Sequence, residues 1–296
     1  PQLVEPNNLS AAIGMNWTTF NVAGFMGPVI GGAILSFGNS TYWEPIGAAM
    51  SYTVSALAFC CMVLGLARVQ IINPMPAKKQ RGPLIIAVLT DLRAGISYIM
   101  DNANLKMIMI LSITVALCLR SYQNLMAGFA EEVFQLDEQG LGNLLAASGI
   151  GALFAALIFA IRGRIQGLTR VYVYGAMLTA TALMAFVSNT QVPLALVSIT
   201  FVGGLVVATE ISAQTLIQNM VLDEYRARVI SINLAVSLGA SAFGTLAIGW
   251  LGELVGFQLA LGAAAVTAII IVALKGRRLL SQSAEIETEP ANRNSK

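Results

Sequence analysis

Ile13-Gly14-Met15-Asn16-Trp17, followed by Gly27-Pro28-Val29-Ile30-Gly31-Gly32, returns 217 residues later as Ile230-Ser231-Ile232-Asn233-Leu234 and Gly244-Thr245-Leu246-Ala247-Ile248-Gly249. An isoleucine, an asparagine and two glycines fall in register, and Val4 over Val221 extends the match. Each copy occupies an apolar run that begins beside a charged loop, so the repeat pairs whole helices. Small residues along an apolar helix let a neighbour approach closely. Pro28 removes one backbone hydrogen bond and bends its helix.

The rest of the chain has the same character. Of 296 residues, 56% are hydrophobic and 11% charged, against roughly 25% charge in a soluble domain. A membrane-spanning helix needs about 20 mostly apolar residues. Apolar runs near 10–37, 46–67, 104–128, 140–161, 171–188, 193–219, 229–252 and 256–274 predict about eight such helices in an all-α membrane protein. The loops between them alternate in charge. Arg68, Lys78, Lys79 and Arg81 follow the second run, whereas Glu131, Glu132, Asp137 and Glu138 follow the third. Continuing in that register, Arg162, Arg164, Arg170, Arg226, Arg228, Lys275, Arg277 and Arg278 all fall on the side of the first basic loop. Basic loops stay in the cytoplasm, so both ends of this chain are expected to be cytoplasmic.

The net charge of +2 is too small and too dispersed to indicate nucleic acid. With no histidine in the chain, a histidine metal site or proton relay within it is excluded; no metal and no cofactor is expected. Cys60, Cys61 and Cys118 sit in apolar runs and read as buried thiols. Residues 68–103 form the longest connection, with Pro74, Pro76 and Pro83, and read as a linker between bundles. Its second half spaces Leu89, Leu92, Ile96, Ile99 and Met100 three or four apart, which suits either a helix on the membrane surface or an extension of the next spanning helix. Residues 276–296 are polar, without periodicity, and read as a disordered tail.

A parallel repeat of six helices relates the two halves of major facilitator transporters. The back half is expected over 104–275, with residues 1–67 as the last two helices of the front half. The 217-residue offset then puts the start of that front half roughly a hundred residues ahead of Pro1, room for about four more helices. Gly14, Ala23, Gly27, Pro28, Gly31 and Gly32 resemble the fifth-helix antiporter signature of major facilitator exporters, with Ala23 where that signature usually has glycine. Gln218 to Val229 is similar to the loop between the tenth and eleventh helices of transmembrane secretion effectors, which resemble the enterobactin exporter; Asp91 to Ala160 is similar to the same group. Arg164 to Arg170, with Gly167 between, resembles a degraded copy of the superfamily's basic loop signature, though topology alone also calls for basic residues there. The resemblance implies a multi-pass protein of the bacterial inner membrane, monomeric when full length. It also implies gating roles for Arg164, Gly167, Arg170, Asp223, Glu224, Arg226 and Arg228.

Charges inside a span are costly and mark pathways. Arg120 lies in the run Arg120-Ser121-Tyr122-Gln123-Asn124, and Glu210 lies with Gln214 in the run over 193–219. The resemblance makes these the seventh and tenth helices, which line the central cavity. Counted from opposite ends, Arg120 lies ~24 Å along its helix and Glu210 ~25 Å along its own, which predicts that they stand near opposite ends of the cavity. Arg120 then holds an anionic substrate or an outer gate, or else snorkels to headgroups. Glu210 carries a proton or pairs with the basic loops. Asn16, Asn21, Asn233 and Gln214 bond between helices or bind substrate.

The expected function is secondary transport of a small amphipathic molecule out of the cell, with protons as the coupling ion implied by the resemblance. Nutrient uptake by the same fold and an inactive truncated protein are the alternatives. The acidic pair Glu131-Glu132 has no partner nucleophile or metal ligand nearby in sequence, so no enzyme is indicated.

Overall fold

The computed structural model describes residues 44–68, 84–162 and 166–287, with Thr19 and Ala23 besides. The helix expected over 10–37, and with it Gly14, Asn16, Asn21, Gly27, Pro28, Gly31 and Gly32, lies outside the described residues, as does Arg164. Among the described residues all regular structure is helical: α1 (Glu44–Ala67), α2 (Leu84–Asp101), α3 (Ala103–Val133), α4 (Glu138–Arg162), α5 (Leu168–Val187), α6 (Val192–Met220), α7 (Asp223–Val255), α8 (Phe257–Ser281) and the short α9 (Ser283–Ile286). The six from α3 to α8 are long and apolar enough to cross a membrane. α1 contains a shorter apolar stretch, Tyr52–Ala67.

The six long helices run alternately up and down, so the residues around 103, 162, 166–168, 220–223 and 281 share one end, the basic-loop end. α3 is the most buried of the six, 61% against 22–50% for the others. It packs on α4, α6, α7 and α8, while α6 packs on α4 and α5. The outward surface is strongly apolar: Phe154, Ile158, Phe201, Phe243, Leu246, Leu259 and Leu274 are all more than half exposed. Water disfavours so continuous an apolar surface, whereas a bilayer requires it.

Close crossings are built on glycine. A Cβ on Gly151 of α4 would enter the Thr200 carbonyl of α6, and one on Gly203 would enter the Ser148 carbonyl. Gly244 of α7 meets the Leu117 carbonyl of α3 in the same way. Its repeat partner Gly27 lies outside the described residues. Gly249 differs from Gly244, since its added Cβ would find only Leu125 Cδ2, at an ordinary 3.5 Å. At the opposite end α7 passes into α8 through one residue, Gly256, whose φ of 94° suits a residue without a Cβ. The Phe257 ring then fills the space over Gly128 and Gly252 and tilts against Phe129.

Several boundaries differ from expectation, each for a physical reason. α2 is a separate helix, because Asn102 takes an extended conformation (φ −101°, ψ 105°) and its side chain accepts the Leu105 N–H, capping α3. Gly95 and Ile99 of α2 are buried, and Gly95 lies against Ile232 and Arg228 of α7. Leu92, Ile96 and Met100 form an exposed apolar ridge four residues apart, the pattern of a helix at a membrane surface. Asp91 pairs with Arg228 at 2.7 Å, and Tyr98 stacks on Tyr225 at 4.6 Å. Asp223, Glu224, Arg226 and Arg228, expected in a loop, belong to the first turns of α7, where acidic residues at 223 and 224 favour a helix start. Cys60 and Cys61 are exposed; Cys118 alone is buried as expected.

The largest boundary difference is at the C-terminal side. Residues 276–287 are helical rather than irregular, because α8 continues to Ser281 and Ile286 of α9 is fully buried. The Glu287 carboxylate then accepts the Gly167 and Thr169 N–H groups at 2.7 and 3.0 Å, capping α5 across 120 residues of sequence. Polar periodicity does not reveal this, because a single buried isoleucine and one carboxylate do the work. Glu287→Gln is expected to lower stability by about 1 kcal/mol, seen as a fall in Tm of roughly 2–4 °C. An unchanged Tm would show that the cap contributes nothing.

Candidate functional site

α3 is not a uniform α-helix. Val115–Arg120 and Phe129–Val133 are π-helical, flanking the α-helical Tyr122–Gly128. Such wide turns change which side chains share a face and are frequent at functional sites. Here Leu117, Arg120, Asn124, Ala127 and Glu131 fall three or four residues apart along the open face of α3. On α6, Glu210, Gln214 and Gln218 are each four apart and half-buried.

These two faces are joined. Arg120 Nη1 donates to Glu210 Oε1 at 2.8 Å, with the two side chains 30% and 33% exposed. The expectation that they stand at opposite ends of a cavity is therefore wrong. α3 has 31 residues and α6 has 29, lengths of ~46 and ~43 Å. Measured from the same basic-loop end, Arg120 is ~26 Å along α3 and Glu210 ~15 Å along α6. The π-helical turn that ends at Arg120 winds extra residues into the same height, and two long side chains close the remaining gap. Glu210 also does not pair with the basic loops, because Arg120 holds it.

Around the pair, Asn124 Nδ2 donates to Thr245 Oγ1 of α7 at 3.0 Å, and Gln123 Nε2 donates to the Tyr122 hydroxyl at 3.5 Å. Tyr122 itself is 1% exposed and bonds Ser148 of α4 at 2.7 Å, so it belongs to the helix-packing core and not to an open pathway. The Ser121 hydroxyl lies 2.8 Å from the Leu117 carbonyl and 3.2 Å from the Ser241 carbonyl, with its one proton shared between them, and so fastens α3 to α7 beside Gly244. Asn233, expected to bond between helices, has a buried Oδ1 that accepts no hydrogen bond among the described residues. Gln218 joins the open face although sequence reasoning took it only as part of a loop motif; its four-residue spacing from Gln214 was the available signal. Among the described residues no group of three or more His, Cys, Asp or Glu side chains could hold a metal ion.

An intramembrane cation and anion on facing helices, with amide side chains along the same faces, form a polar stripe inside an apolar bundle. Such a stripe can take a proton at the carboxylate and hold an anionic group at the guanidinium.

Known proteins are similar to this chain in sequence and in fold. The chain matches the transmembrane secretion effector family over residues 1–296. It is 22% identical over 268 residues to the uncharacterized MFS-type transporter YfmI of Bacillus subtilis (strain 168), covering 87% of this chain and 62% of that protein's length. Its fold is similar to the crystal structure of a bacterial homolog to the human lysosomal transporter Spinster, in an inward-facing and unoccupied conformation. The TM-score is 0.63 at 15% identity, over 96% of this chain and 73% of the other. With the family match running the whole chain and the six-helix bundle agreeing with it, the chain belongs to the transmembrane secretion effectors of the major facilitator superfamily.

Proposed function

We propose that the protein exports a small amphipathic molecule of siderophore, drug or metabolite type by alternating access, with protons as the coupling ion. The carrying observation is the Arg120–Glu210 pair, which links α3 to α6 at mid-helix. A charge pair in that position is costly to maintain for packing alone. In this reading substrate and proton take turns: the substrate binds while Glu210 is deprotonated, and a proton on Glu210 ends the pairing with Arg120 and displaces the substrate. Loss of the proton restores the pair and resets the site. Rocking of one bundle against the other around the fixed site completes the cycle. Outward direction rests on the fifth-helix signature from Gly14 to Gly32. Because the chain spans 62% of the length of its Bacillus relative, the activity is proposed for the protein as it occurs in the cell.

Deleting the gene is expected to abolish resistance to, or release of, an amphipathic compound. Complementation with the parent gene restores that property, and Glu210→Gln does not. Loss of nutrient uptake in the deletion strain, with resistance and release unchanged, would point to import instead.

A further inference from the structure

α7 comes close to α3 at Gly244, where an added Cβ would enter the Leu117 carbonyl. The next residue, Thr245, is thereby brought to Asn124. Asn124 Nδ2 donates to Thr245 Oγ1 at 3.0 Å, and the Thr245 hydroxyl donates its one proton to the Ser241 carbonyl, one turn back along α7, at 2.9 Å. A hydroxyl oxygen whose proton is already donated can only accept. That direction fixes the Asn124 amide, because only its nitrogen can serve Thr245, which turns its oxygen the other way. Asn124 is an exposed residue, whereas Thr245 is half-buried and Ser241 buried. The amide oxygen is therefore an accessible acceptor held on the open face of α3, ~6 Å along the axis from Arg120. Arg120 gives Nη1 to Glu210, is 30% exposed, and carries further N–H groups on the same guanidinium.

We infer that Asn124, positioned by Thr245, sets substrate specificity: the site selects a neutral amphipathic molecule whose polar head combines an acceptor for Arg120 with an N–H or O–H donor for Asn124 Oδ1, as a secondary amide does. The inference rests on the reading of the Arg120–Glu210 stripe as the substrate pathway. A neutral head suits the state in which the Glu210 carboxylate balances the Arg120 charge. A head with a second acceptor in place of the donor, such as an ester, sets two oxygens against each other with no proton between them. The buried Ser241 carbonyl and the half-buried Thr245 hydroxyl then act at a distance, by denying the amide its other orientation.

The protein as it occurs in the cell, in phosphatidylcholine nanodiscs, is titrated with N-methyldecanamide and with methyl decanoate, and Kd is read from saturable rises in Tm. The two probes differ in one N–H against one oxygen. Asn124→Leu is expected to shift the amide-to-ester ratio of Kd values about 3- to 10-fold toward the ester, the worth of one hydrogen bond. Comparing that ratio between variant and parent cancels the unequal entry of the two probes into lipid. Thr245→Val, which leaves no oxygen to hold the amide nitrogen, is expected to shift the ratio in the same direction, and Thr245→Ser, which keeps the hydroxyl, to leave it unchanged. A loss of packing alone would move Tm and not the ratio. Asn124 is exposed, so Asn124→Leu keeps the fold even if Thr245→Val does not. An unchanged ratio in Asn124→Leu, or no saturable rise with either probe on the parent, would overturn the inference; an unchanged ratio in Thr245→Val alone would overturn the positioning by Thr245. None of these outcomes touches the transport reading, which the deletion strain and Glu210→Gln test separately.

Discussion

Arg120→Leu or Glu210→Leu alone is expected to destabilise the bundle by about 2–4 kcal/mol, whereas the double variant returns to within about 1 kcal/mol of the parent. The asymmetry follows from burial. Removing one partner leaves a charge in an apolar bundle without its counter-ion, and removing both leaves two apolar side chains that pack. The range sits below that of a fully enclosed pair because each side chain is about a third exposed and part of the attraction is screened. Tm measurements on the four proteins form the cycle. Transport is expected to respond differently, with both single variants and the double variant inactive, because each single variant lacks one half of the site and the double variant lacks both. A double variant that recovered transport along with stability would reduce the pair to a structural clasp.

Gly151→Val and Gly203→Val should be more damaging still. At each position the group in the way is a backbone carbonyl of the facing helix, Thr200 or Ser148, so no side-chain rotation can relieve the contact. α4 and α6 have to separate, and the cost is expected to exceed the roughly 1–3 kcal/mol of ordinary overpacking. The expected readout is loss of monodisperse protein on size exclusion. Gly239→Ala provides the contrast, since an added Cβ there meets nothing within 4 Å. It should hold or raise Tm by up to the equivalent of about 0.5–1 kcal/mol. Normal yield and Tm for Gly151→Val would mean that the α4–α6 crossing is looser than described.

The spans were legible because apolar length and loop charge are properties of the chain read in one dimension. Six of the eight expected helices appear as long apolar spans, with ends shifted by a few residues, and α1 matches the seventh. Arg120 and Glu210 were also legible as costly intramembrane charges. Their partnership was not, since it depends on helix lengths, on a π-helical turn and on side-chain reach. The same turn explains Tyr122. The next two residues, Gln123 and Asn124, are polar and exposed, but the altered winding of α3 turns the Tyr122 ring into the core against Ser148. The Glu287 cap is not legible in the sequence for a related reason, because a carboxylate in a polar tail has no periodic signal and its partners lie 118 and 120 residues away.

The single-residue join at Gly256 has a mechanical meaning. With Phe257 wedged over Gly128 and Gly252, α3, α7 and α8 share one hinge pin at that end. A motion of α3 against α7 or α8 therefore acts as a lever about this pin. Displacement should be small near Gly256 and grow toward the basic-loop end, where α2 and the α5 cap would travel furthest.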